Sequence, residues 1–66
     1  MSEDEARRRV RQLLLSGDNT LKSRDGDQRV TRARSRYEQA LAVARNAALD
    51  DVAAFAQRRL DALDPR

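Results

Sequence analysis

The chain has 66 residues, no cysteine and no histidine, and 14 basic residues against 11 acidic for a net charge of +3. That length holds one small domain over residues 1–66, and the two missing residue types remove disulfides, thiolate chemistry, the commonest metal ligand and the commonest general base. The longest apolar run, Leu13-Leu14-Leu15, is far short of the roughly 20 residues of a membrane span, and the acidic start of MSEDEARRRV is unlike a secretion signal, so a cytoplasmic chain with no membrane partner is expected.

Thirteen of the 14 basic residues are arginine. With abundant Ala, Val and Asp, that is first of all the coding bias of a GC-rich genome. The charge is uneven all the same: net +1 over residues 1–26, +3 over 27–47 and −1 over 48–66. Large apolar side chains are sparse, with eight Leu, four Val, Phe55, Tyr37 and Met1 beside eleven Ala. Alanine favours helices at close spacing. A core this slight in so short a chain makes a covering partner, or a second copy forming a homodimer, a natural expectation.

In chain order, Ser2 with Glu5 has the capping-box spacing and three acids fill the first turn. Each acid has an arginine four residues on, Glu3–Arg7, Asp4–Arg8 and Glu5–Arg9, a pattern that supports an exposed helix without any ligand. Ala6, Val10, Leu13, Leu14, Gly17 and Leu21 keep one helical face. Ser16-Gly17-Asp18-Asn19 has turn chemistry, yet Leu21 returns in phase after it. The first helix is therefore predicted to run from about 3 to 24, with Gly17 letting another helix approach. Leu15 falls off the stripe and is predicted to be partly exposed or in contact with another chain.

Gly26 suits a left-handed position after a helix end and Asp27 the N-cap of the next helix. A second helix over about 28–47 follows, its face made by Val30, Ala33, Tyr37, Ala40, Leu41, Ala44 and Ala48. Arg29, Arg32 and Arg36 line one flank and Arg34 and Arg45 the other. Leu49 is predicted to staple an Asp50 N-cap. A third helix over about 51–63 should bury Val52, Phe55, Ala56, Leu60 and Leu63, with Pro65 ending it. No strand pattern competes. The expected fold is all-α, a three-helix antiparallel bundle.

Ala33, Tyr37, Ala40 and Leu41 in ARSRYEQALAVA resemble the second helix of a tetratricopeptide repeat: a small residue, an aromatic four on, then Ala-Leu. The Gly26-Asp27 turn is similar to that family's inter-helix turn, and LDDVAAFAQRRLDAL resembles a following or capping helix. The likeness covers about residues 13–63. It implies a TPR-like helical hairpin (about 3–24 and 28–47) plus a capping helix, working as a protein-interaction module. Asn19 and Lys22 would then contact an acidic peptide in the groove where such repeats bind.

Nothing in the chain points to an enzyme. The serines and threonines have no histidine to activate them, and Gly17 and Gly26 are too isolated to cradle phosphate; no cofactor and no metal are expected. The favoured reading is a non-catalytic protein–protein interaction module. Its second surface is expected at Leu15 and Val43, with Leu60 beside them, set against a protein partner or another copy of the chain. The alternative is a small arginine-rich nucleic-acid-binding protein using Arg29, Arg32 and Arg36 on the central helix, with no exposed aromatic set to stack bases.

Overall fold

A computed structural model describes residues 2–23 and 28–63. Three helices make up the domain: α1 (Glu3–Lys22), α2 (Arg29–Asn46) and α3 (Asp50–Leu63). The expected all-α three-helix bundle is what forms. Among the described residues no helix is long and apolar enough to cross a membrane.

α1 starts where Ser2 Oγ accepts the Glu5 N–H at 3.2 Å and the Ser2 carbonyl accepts the Ala6 N–H at 2.9 Å. Its acidic first turn and Lys22 in its last turn both suit the helix dipole. The helix passes through Gly17 without a break and ends at extended Ser23, slightly before the predicted Arg24. Of the three acid–arginine pairs, Glu3–Arg7 closes at 3.7 Å. α2 begins with no side-chain cap at Gln28 and no acid in its first turn. Arg24, Asp25, Gly26, the Asp27 cap and Pro65 lie outside the described residues.

The α2–α3 turn departs from expectation. Ala48 was placed on the α2 face, but it sits past the helix end with φ 57°. The Leu49 N–H reaches back to the Ala44 carbonyl at 2.8 Å and the Ala48 N–H to the Arg45 carbonyl at 3.1 Å. This is a Schellman motif with alanine where glycine is usual, and Leu49, 4 % exposed, supplies its apolar contact. The Leu49 carbonyl then accepts the Ala53 N–H at 3.0 Å, so Leu49 takes the N-cap position foreseen for Asp50, which is instead the first helical residue.

Among the described residues, five of the ten buried apolar ones are alanines (Ala6, Ala33, Ala40, Ala44 and Ala56), beside Val10, Leu13, Leu14, Tyr37 and Leu49. Tyr37 and Val10 are the largest fully buried side chains. Small residues bring the helices close, and Tyr37 fits only because of what faces it. A Cβ built on Gly17 would stand 2.5 Å from Tyr37 Cε1 and 2.9 Å from Cδ1. Two predicted core residues are outside this packing: Val30 is 38 % and Phe55 47 % exposed. α3 leaves the C-terminal end of α2 with 14 residues against 18, so it stops short of the turn that carries Val30. Leu21, Leu41, Val52, Leu60 and Leu63 pack at the rim of the core.

Two substitutions test this packing by denaturant unfolding. Gly17→Ala is expected to destabilise by about 1–2 kcal/mol, overpacking against a buried ring outweighing the gain in helix propensity. Ala48→Gly is expected to stabilise by about 0.5–1 kcal/mol by relieving the left-handed strain.

Candidate functional site

α1 and α3 both pack on α2 but touch each other directly over little of their length. On α1, Arg7, Arg11, Leu14 and Asp18 recur at steps of 4, 3 and 4 and form the flank that looks toward α3. On α3, Asp51, Phe55 and Arg59 recur every four residues and look back. Between the two helices is a cleft of about 320 Å³ lined by Arg7, Arg11, Leu14, Val52, Phe55 and Arg59.

An ion pair closes each end of this cleft. Near the start of both helices, Arg7 Nη1 donates to Asp51 Oδ2 at 2.8 Å. Eleven residues further along α1, Asp18 accepts a two-pronged contact from Arg59, Nε to Oδ1 at 3.1 Å and Nη2 to Oδ2 at 3.2 Å. Both pairs advance in the same chain direction, so α1 and α3 run parallel with α2 opposed.

Asp18 also accepts the Tyr37 hydroxyl. One carboxylate therefore joins all three helices: its own α1, Tyr37 of α2 and Arg59 of α3. Partial burial pushes the Asp18 carboxyl up, but the hydrogen bonds from Arg59 and Tyr37 and the Arg59 charge outweigh it and hold the group below its ordinary value. Burial and then the bond to Asp18 push the Tyr37 phenol up to about 12. Asp51 is likewise held down by its hydrogen bond from Arg7.

Within the cleft, Leu14 and Val52 form an apolar floor and half-exposed Phe55 one wall. Arg7 and Arg59 are neutralised by their partners. Arg11 has no ion pair among the described residues, and it stands between the two closed ends.

The residues singled out from sequence fall elsewhere. Leu15, 55 % exposed, shares the outer face of α1 with Asn19 and Lys22, and a shallow depression there takes in Gln12, Leu15, Ser16 and Asn19. Val43 is half-buried at the rim of the core, as is Leu60. Arg32 and Arg36 line a groove between α1 and α2 that shares Thr20 and Ser23 with this depression, and Arg29 is exposed beyond it. Leu15 and the arginine flank thus line adjoining surfaces, while Val43 lies at the rim of the core. Asp18, Phe55 and Arg59 had not been foreseen as functional; the four-residue step 51–55–59, facing 7–11–14–18, was the signal available.

No family model matches the chain, and neither a characterised protein nor a solved structure matches it.

The network has a definite dependence on pH. The Asp18 contribution is present above the ordinary carboxylate pKa of about 4 and lost as pH falls through its lowered folded value. Tyr37, raised in the fold, contributes fully below about pH 10 and loses that contribution as pH climbs toward 12. Asp18→Asn should cost roughly 1 kcal/mol at neutral pH and flatten the acid limb of a stability–pH curve. Tyr37→Phe should flatten the alkaline limb.

Proposed function

We propose that this chain is a non-catalytic protein-interaction module, a TPR-like hairpin with a capping helix, whose α1–α3 cleft takes a partner segment presenting a bulky apolar side chain beside a carboxylate. The observation that carries this reading is the cleft's composition. An apolar floor and a half-exposed Phe55 lie beside Arg11, an arginine with no ion pair among the described residues. Leaving a phenylalanine half in water forgoes part of about 1.5–3 kcal/mol of burial, and a partner side chain recovers it.

The volume, about 320 Å³, is at the small end of ligand sites, roughly 300–1,000 Å³, and suits one side chain better than a cofactor. The charge balance selects its neighbour. The acids at the two ends are already engaged by Arg7 and Arg59, so an incoming carboxylate meets Arg11 unopposed and gains a charge-assisted hydrogen bond. This is the acidic-peptide partner that the family resemblance implies, received at Arg11 on the α3-facing flank of α1 rather than at Asn19 and Lys22.

A short peptide ending in leucine with a free carboxylate, titrated into isotope-labelled protein, should shift the amide resonances of Leu14, Val52 and Phe55. Its amidated twin should bind about tenfold more weakly, one lost charge-assisted bond. Phe55→Ala and Arg11→Gln should each weaken the free-acid peptide; Arg11→Gln, at an exposed residue, should leave the melting temperature nearly unchanged, whereas Phe55→Ala, which removes a half-buried ring, should lower it by about 4–8 °C. Equal binding of acid and amide would remove Arg11 from the reading. A dimer in sedimentation that dissociates on Phe55→Ala would make the occupant a second copy of the chain.

A further inference from the structure

The groove on the other side of α1 has a different chemistry. About 530 Å³ in volume, it is lined by Thr20 of α1, by Ser23 at its C-cap and by Arg32, Ser35, Arg36 and Gln39 of α2. We propose that this groove binds the dianionic phosphate of a soluble phosphate monoester.

The first support is charge left uncompensated. Arg32 and Arg36 stand one turn apart on α2, both exposed, and neither has a carboxylate within 4.0 Å among the described residues. Arg7 and Arg59, by contrast, are each held by an aspartate. Like charges at this spacing destabilise a helix by about 0.2–0.5 kcal/mol. Glu38, the acid of α2, is two residues from Arg36 and so on another face. A coding bias toward arginine would account for the residue type but not for two of them facing a groove with no acid among the described residues of its lining.

The second support is the supply of donors. Thr20 spends its hydroxyl hydrogen on the Ser16 carbonyl at 2.8 Å. Gln39 Nε2 donates to Ser35 Oγ at 3.2 Å, which leaves the Ser35 hydroxyl hydrogen and the second Gln39 N–H to point elsewhere. With two guanidinium forks of five N–H each, the described lining offers many donors and no carboxylate. A single guanidinium can engage both oxygens of a carboxylate and balance its one charge, as Arg59 does at Asp18. Two forks a turn apart can grip different oxygens of one tetrahedral dianion.

These features favour a monoester over nucleic acid. A phosphodiester has two free oxygens and one charge, which uses half of what the groove offers. Base stacking needs an exposed aromatic; Tyr37 is 1 % exposed, and Phe55 faces the α1–α3 cleft.

The test is an amide-resonance titration of the full chain with glycerol 2-phosphate. Saturable shifts confined to residues 20–23 and 32–39 are expected, with affinity lowered roughly tenfold by Arg32→Gln or Arg36→Gln and unchanged by Arg8→Gln. Affinity should rise with pH through about 6, the second ionisation of the ester; the chain has no histidine to imitate that dependence. Dimethyl phosphate should bind at least severalfold more weakly. Melting curves of the two groove variants should match the parent or exceed it, because a like-charge contact is relieved. An absence of saturable shifts overturns the proposal, as does an equal loss with Arg8→Gln. So does tight binding of a DNA or RNA oligomer that the groove variants abolish. None of these outcomes bears on Phe55 or Arg11, so this site and the α1–α3 cleft stand or fall separately.

Discussion

Tyr37 stands in the middle of the domain because residue 17 has no side chain and residue 18 has a carboxylate. The missing Cβ admits the ring against α1, and the next residue along receives its hydroxyl. A phenol buried to this depth needs an acceptor, and the acceptor it finds is itself only partly exposed and needs a cation. Arg59, arriving from α3, supplies that cation. The sequence Gly17-Asp18 thus settles three things together: how closely α1 and α2 approach, what satisfies the central polar group, and where α3 is tied down.

Alanine governs the rest of the packing. With half the buried apolar residues being alanine, little area per residue leaves water, and the hairpin relies on closeness rather than bulk. α3 joins this assembly through Ala56, Leu49 and a rim of half-buried residues. Its remaining ties to α1 are ionic and lie at the surface, where such pairs contribute modestly and are screened by salt. The hairpin carries the fold, and the third helix makes surface: a cleft against α1 that two helices alone would not enclose.

The helices were legible in the sequence because apolar steps of three and four persist through each, and the close approach at Gly17 was legible because the glycine fell on the apolar face. The site was less so. Asp18 lies within a run of Ser, Gly, Asp and Asn that reads as a turn, and its partners are 19 and 41 residues away, beyond any local pattern. Phe55 has a core residue's spacing, but spacing does not report how much the facing helix covers. Ala48 continued the α2 face in phase, and the absence of glycine hid the left-handed turn that ends the helix there. Val30 belongs to the right face of α2, at a height α3 does not reach.

The two ionic closures have a mechanical consequence. Where helices meet through interlocked side chains, their separation is fixed by atomic volume and resists change. Across the α1–α3 cleft direct contacts are few, and the helices are joined there by two arginine side chains, which rotate about several single bonds and move on fast timescales. Packing on α2 through Ala56 and Leu49 sets where α3 lies. Rotamer changes of Arg7 and Arg59 therefore open or close the ends of the cleft while the helices stay in place, giving a rigid bundle an adjustable rim.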